Sequence, residues 1–289
     1  MNYRSLKVLS LVACALTCFV TGPRAHAQKK NRSPTSKFYV ADLNGEAQVD
    51  TGDRIDDLEK KSVYNADGTI IETKSDSNYA MVYSNGSGIY FDPSTRVHVQ
   101  KFVQEPFKPN RSDMETEPSI SQTQAVVERG AVGLCTSKLV AGSHMDYVTP
   151  FGSLSMHGRK AVIDVKDNSA TISMLEGDST VKAGDLDMGG HTLHEGEQAI
   201  LTKDPTTGAN RVTIQQIPSD QKAAANDKVT AACLARKTVY FDVRAKTGVQ
   251  LNGATAFDAV TSDQEIVAVP VTSSALPTQF TISPANLGP

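Results

Sequence analysis

The chain has 289 residues and a formal net charge of −3, with 29 basic residues nearly balancing 32 acidic ones. This balance leaves no excess of positive charge for binding nucleic acid or anionic lipid, so neither kind of partner is expected. The length suits one large domain, or one domain with smaller additions.

The N-terminus has the order of segments that a secretory signal peptide needs. Arg4 and Lys7 precede an apolar run, Val8–Val20, and Ala25-His26-Ala27 supplies a small-residue cleavage site. The apolar run is shorter than the roughly 20 residues that a membrane-spanning helix requires. Residues 1–27 are therefore predicted to be a signal peptide, and the mature chain to have no transmembrane span.

The mature protein is expected in the periplasm or outside the cell. Cys14 follows small and apolar residues, which is also the pattern of a lipoprotein signal. Apolar residues continue beyond Cys14, however, so cleavage before Gln28 fits the geometry better and a lipid anchor is not favoured. Residues 28–37 contain no large apolar side chain and are predicted to be a flexible leader.

Residues 38–202 have the texture of short β-strands separated by turns. Val97 and Val99, for example, alternate with polar residues, which is the period of a half-buried strand. Strands spaced this closely indicate an all-β domain, sandwich-like, barrel-like or solenoid-like, rather than βαβ units. Glycines that favour tight turns lie in Asp67-Gly68, Asn85-Gly86 and Ser87-Gly88.

The remaining segments are predicted from their composition. Residues 105–124 are polar and contain three prolines, so they should form a connection within the β domain. In the C-terminal extension, residues 203–289, the stretch 219–237 has helical composition and spacing, with Ser219 and Asp220 as capping candidates. Further short strands are predicted at Thr238–Val243, Gly248–Leu251 and Glu265–Val271.

Four patterns resemble fragments of active or metal sites, but each lacks the partners that its chemistry needs. An aspartic protease needs a second carboxylate, and a calcium loop needs more ligands. Two histidines three residues apart point to opposite faces of a strand, and no serine has the nucleophile-elbow context. A non-enzymatic protein without cofactor or metal is therefore predicted. The patterns are Asp50-Thr51-Gly52, His191 to Glu195, Asp185 with Asp187, and Ser153 with Ser155.

Cys135 and Cys233 are the two cysteines that remain after removal of the predicted signal peptide. In an oxidising compartment they either form a disulfide or stay as two buried thiols, and the sequence leaves both alternatives open. The aromatic residues of the strands similarly either bind a partner or fill the core, and the core is favoured. The aromatic candidates are Tyr83, Tyr90, Tyr147 and Phe151.

An ordered set of short motifs over residues 38–201 resembles the FecR domain. The first motif is a strand, a polar turn with glycine, a second strand and a Pro-Ser unit in succession. The later motifs are the short patterns Gly-Ser, Thr-Pro-x-Gly, Leu-Glu-Gly and Gly-Glu-x-Ala. At His157-Gly158-Arg159 the chain departs from the Arg-Gly-Thr unit that the family usually has, which indicates a diverged member. The motifs lie in Met81–Val97, Leu139–Ser143, Thr149–Leu154, Met174–Gly177 and Leu193–Ala199.

The resemblance implies an all-β envelope module with a binding or scaffolding role and an envelope protein or polysaccharide as partner. The transmembrane helix and cytoplasmic segment of FecR-type regulators have no counterpart in the sequence, so an anti-sigma role is not implied. The alternative is a sensor or regulatory protein of the FecR type that acts in envelope signalling.

Overall fold

A computed structural model describes residues 36–107, 115–184, 187–245 and 264–271. The predicted signal peptide, almost all of the predicted leader and the strand predicted at Gly248–Leu251 lie outside these residues, as do Cys14 and Asp185. All described residues belong to one compact unit of the chain.

The described β-structure consists mainly of seventeen strands in two sheets that share one long strand. Sheet A contains, in spatial order, β3 (Ile55–Asp57), β2 (Ala47–Asp50), β5 (Thr69–Thr73), β8 (Arg96–Gln104), the first part of β9 (Ser121–Cys135), β10 (His144–Thr149), β11 (Gly152–Ser155), β14 (Ser179–Lys182) and β15 (His191–Leu193). Sheet B contains β4 (Val63–Asn65), β1 (Lys37–Asn44), β6 (Asn78–Tyr83), β7 (Gly88–Phe91), the second part of β9, β12 (Lys160–Lys166), β13 (Ser169–Glu176), β16 (Glu197–Lys203) and β17 (Asn210–Gln216). Neighbouring strands run antiparallel except β9 and β10.

Strand β9 passes from sheet A to sheet B at Gly130. This glycine has a φ of +80°, and a Cβ atom there would lie 2.3 Å from the Thr95 hydroxyl oxygen. The same hydroxyl accepts a hydrogen bond from the Ala131 N–H at 3.0 Å. Only glycine fits both the backbone conformation and the close approach, so Gly130 allows one strand to serve both sheets.

A single apolar core fills the space between the two sheets. Tyr83 of sheet B stacks on Phe102 of sheet A with ring centroids 4.4 Å apart, and both side chains are fully buried. Val97 and Val99 of β8 also point into this core, as their alternation predicts. The prediction of an all-β fold followed by one helix and terminal strands is confirmed, and the sheets form a sandwich.

A second layer covers the outer face of sheet B. Helix α1 (Ser219–Arg236) and the hairpin of β18 (Val239–Ala245) with β19 (Gln264–Pro270) lie on this face. Residues of β1 and β6 pack there against the hairpin in a separate apolar cluster. Pro218 occupies the N-cap position and no side chain caps the helix, so the predicted caps are wrong.

Three details of the predicted layout differ in the structure. The connection predicted for residues 105–124 is shorter, because β9 already begins at Ser121. Sheet B continues past residue 202 into β17, whose alternation involves only two apolar residues. Gly88 lies within β7 rather than in a turn with positive φ, whereas Gly68 and Gly86 do have positive φ.

Candidate functional site

Helix α1 lies unusually close to sheet B because two strands carry glycines beneath it. A Cβ atom at Gly88 would lie 2.2 Å from the Ala232 carbonyl oxygen. A Cβ atom at Gly133 would lie 2.7 Å from the Lys228 carbonyl carbon. Any other residue at either position would push the helix outward, since real Cβ atoms do not approach so closely.

A disulfide and an ion pair fix the helix in this position. Cys135 at the end of β9 is bonded to Cys233 of α1, with their Cα atoms 5.2 Å apart. One helical turn or more away, Lys228 forms a partly buried ion pair with Asp92. The two links hold different turns of α1 to the sheet, so the helix cannot slide along it.

Arg236 anchors the last turn of the helix from a buried position. Its Nε donates to the Gly86 carbonyl at 2.6 Å, and its other nitrogens donate to the Thr136 carbonyl at 3.3 Å and the Ser137 hydroxyl at 2.8 Å. Burial lowers the pKa of the guanidinium from its ordinary value. A buried cation of this kind depends on its hydrogen bonds, so removing Arg236 should loosen the end of the helix.

The docked helix forms one wall of an open groove with a volume of about 680 Å³, here called the outer groove. Its floor is the outer face of β1 and β6, and its opposite wall includes the loop before β4. This volume falls in the range typical of ligand sites, about 300 to 1,000 Å³. The lining residues are Tyr39, Ala41, Asp42, Lys60, Lys61, Asn78, Tyr79, Ala80, Tyr90, Ala231, Leu234, Ala235, Thr238, Pro270 and Val271.

A β-bulge shapes the floor of the outer groove. The register of β1 against β6 shifts between Val40 and Asp42, so Ala41 is the extra residue. Regular alternation would direct Asp42 toward the core, where a carboxylate is costly. The bulge instead places both Ala41 and Asp42 on the groove side, while Leu43 returns to the core.

The outer groove is apolar at its floor and charged at its rim. Lys60 forms an exposed ion pair with Asp42, and such pairs contribute little to stability. Burial raises the pKa of the Tyr39 hydroxyl. Burial also raises the pKa of the Tyr90 hydroxyl, and the nearby Asp92 carboxylate adds a smaller effect in the same direction. Both tyrosines therefore stay neutral near pH 7. The groove can receive an apolar group beside Lys60, whose exposed pairing with Asp42 a ligand carboxylate can replace.

The two histidines that the sequence singled out contact different carboxylates. His191 Nε2 lies 3.3 Å from Asp187 Oδ2, and His194 Nδ1 lies 3.1 Å from Asp178 Oδ1. Hydrogen bonds from backbone N–H groups, above all that of Ala183, hold the pKa of the Asp187 carboxyl below its usual range. Within the described ranges, no group of three or more metal-ligating side chains lies close enough to hold an ion.

The other candidate patterns have local structural roles. Asp50 accepts a hydrogen bond from the Gly52 N–H at 2.8 Å, which makes the predicted polar turn. Ser155 donates to Asp146 at 2.7 Å across the β10–β11 pair, and Ser153 lies in β11 opposite Val148. These residues are not brought together into a shared site.

The aromatic candidates divide between the core and the outer groove. Tyr83, Tyr147 and Phe151 are buried in the core between the sheets. Tyr90 is half-buried and lines the outer groove. One of the four therefore faces a surface where a partner could bind.

The departure from the FecR pattern lies where β12 begins. Gly158 packs against the edge of β13, and a Cβ atom there would lie 2.7 Å from the Glu176 carbonyl oxygen. Arg159 forms ion pairs with Glu115 and with Glu176. Close packing therefore requires a glycine at position 158, and Arg159 is held at the surface by its two ion pairs.

Sequence reasoning missed the outer groove, although one signal for it was present. Phe38–Ala41 and Tyr79–Tyr83 are continuous apolar runs, which is the pattern of strands buried on both faces. Such a run in an antiparallel sandwich indicates a second layer on the outside. Which residues form that layer depends on tertiary contacts.

No protein-family model and no curated protein matches the chain. Two crystal structures of a provisionally described anti-sigma factor from Parabacteroides distasonis ATCC 8503 are similar, with a TM-score of 0.39 each and sequence identities of 11% and 13%. Each similarity covers 54% of this chain, which spans 62% and 63% of the two structures. Similarity at this level carries no argument about function.

In the portion of the chain that the structure describes, no helix is both long and apolar enough to cross a bilayer.

Proposed function

We propose that this protein is an exported, non-enzymatic, FecR-like β module that binds a partner in the cell envelope through the outer groove. The observation that carries the proposal is the groove itself, with its apolar floor and its lysines at the rim. Four separate devices hold helix α1 at the groove wall: the two glycines, the disulfide, the Lys228 ion pair and Arg236. A rigid wall favours binding because little ordering is needed when a partner arrives.

Export is supported by the signal-like N-terminus and by the disulfide. A bond between Cys135 and Cys233 persists in oxidising compartments such as the periplasm and is rare in the cytosol. Mass spectrometry of the mature protein tests this part directly. A first residue of Gln28 supports cleavage by signal peptidase, whereas an intact residue 1 or a lipidated Cys14 contradicts it.

The chemistry of the groove favours a protein segment with an apolar side chain and a neighbouring carboxylate. Leu234 is more than half exposed at the groove wall, where it extends the apolar surface of the floor. A carboxylate on the partner can replace Asp42 at Lys60, or it can approach Lys61. A polysaccharide would gain less from this apolar lining, although Tyr90 offers one ring for stacking.

Site-specific crosslinking in cells tests the groove. A photoreactive amino acid replaces Leu234 in one variant and Ala224 in a matched control. Both positions are exposed on the same helix, but Ala224 lies about 15 Å away along the axis and does not line the groove. We expect a discrete adduct from position 234 that position 224 does not give, and its loss when Lys60 and Lys61 are replaced by Glu.

The identity of the adduct separates the two functional readings. A structural envelope protein supports the binding module. An outer-membrane transporter or a sigma-regulating protein moves the assignment to the sensor or regulatory alternative. Equal adducts at both positions, or none at either, contradict the outer groove as the binding site.

A further inference from the structure

The four edges of the two sheets are protected to different degrees. Strands β3, β4 and β15 end their sheets with three residues each. The fourth edge is β17, with seven residues in continuous register against β16 and no bulge. Long regular edges invite further strands to pair, and proteins usually shorten, bulge, charge or cover them.

The hydrogen-bonding groups on the open side of β17 follow from its pairing. The Ile217 N–H donates to the Gly196 carbonyl, and the Ala209 carbonyl accepts from Asp204. The backbone N–H and C=O groups of residues 209 and 217 therefore point toward β16, and so do those of the odd-numbered residues between them. The even-numbered positions present their N–H and C=O groups outward, and no described strand pairs with them.

We propose that β17 pairs antiparallel with β17 of a second copy, joining the two B sheets across a twofold axis at Thr213. This register is the one that uses all seven residues. It places each residue whose backbone N–H and C=O groups face the open edge opposite another such residue. Val212 thus pairs with Ile214 of the second copy, and Asn210 with Gln216. Self-complementarity of this kind is what a twofold interface requires.

The side chains are compatible with this register. Arg211 falls opposite Gln215, and its charge is already balanced by Asp204 at 3.0 Å, so no like charges oppose each other. Val212 and Ile214 pack on the sandwich core but stay partly exposed at its end. The second copy would cover both with their counterparts, which extends one core into the other.

A pairing of one strand per copy buries less area than a standard interface, so the dimer should be weak and dependent on concentration. Cysteine substitution tests it by register. The twofold places the two Thr213 Cα atoms about 4.5 Å apart as a non-hydrogen-bonded pair, which a disulfide can bridge. Position 211 of one copy lies about 13 Å from position 211 of the other, beyond any disulfide.

We expect the exported Thr213→Cys protein to convert to a dimer under mild oxidation, with the link at residue 213 found by peptide mapping. The Arg211→Cys and Gln215→Cys proteins should each form no covalent dimer, whereas a mixture of these two should form disulfide-linked mixed dimers. All three positions are exposed, so folding should not change. Equal crosslinking of the three single variants, or none, overturns the proposal.

Sedimentation of the unmodified protein provides an independent measurement. The native chain should show a rising dimer fraction with concentration. Val212→Pro should abolish it, because proline removes an outward N–H while the bonds to β16 remain. A chain that stays monomeric at the highest soluble concentration contradicts the proposal and leaves the edge to a different protein. This outcome would not affect the outer groove, which lies on another surface.

Discussion

The bond between Cys135 and Cys233 should contribute a large part of the stability of the molecule. The two cysteines are 98 residues apart in sequence, and the bond closes almost all of the chain from β9 to α1 into one loop. In the chain-entropy account, a loop of this length restricts the unfolded state by about 4.7 kcal/mol. Replacing both cysteines by alanine should therefore remove about 4 kcal/mol of unfolding free energy, with part of the effect offset by relaxation.

Thermal unfolding measures this loss conveniently. For a chain of this size, each 1 kcal/mol corresponds to about 2 to 4 °C, so the midpoint should fall by about 8 to 16 °C. Reducing the native protein should lower its midpoint to the same value. The double variant serves as the control, because a reductant should leave it unchanged. Urea unfolding should agree, with a lower midpoint concentration.

A small shift would refute this reasoning. If the double variant lost less than about 1 kcal/mol, or if the reductant lowered its midpoint further, the loop restriction would not be the source of the stability. A loss that appears only in the single variants would instead indicate an unpaired thiol in a tightly packed place.

Other substitutions test other contacts. Gly88→Ala should destabilise by about 1 to 3 kcal/mol, because its Cβ meets the Ala232 carbonyl, whereas Gly189→Ala faces open space and should change little in thermal unfolding. Tyr147→Phe should be neutral or stabilising in urea, since its buried hydroxyl has no described hydrogen-bond partner. Asp187 has a lowered pKa, so its stabilisation is complete above about pH 4 and is lost below it; Asp187→Asn should flatten that acid dependence of the unfolding midpoint.

How far the sequence predicted the fold differs between elements. The alternation of β8 and the composition of the helix were sufficient, because both signals come from residues close together in the chain. Strand β17 and the early start of β9 were missed. Strand β17 has only two apolar residues, and the first four residues of β9 are all polar, so pairing with other strands decided their conformation.

The candidate site was less predictable than the fold. The sequence suggested histidines and acids, and the structure gives those residues separate local partners. The outer groove combines side chains from β1, β6, α1 and β19, which are far apart in sequence. In the sequence, only the continuous apolar runs of β1 and β6 indicated a second layer.

By itself, the sequence determined the β-rich character, the late helix and an N-terminus with the features of a signal peptide. Each of these follows from local patterns of apolar, polar and glycine residues. Tertiary structure alone decided that the sheets form a sandwich, that Cys135 reaches Cys233, and that Gly88 serves a close helix contact rather than a turn. These outcomes depend on which surfaces meet in space, and a pattern of neighbouring residues does not contain that information.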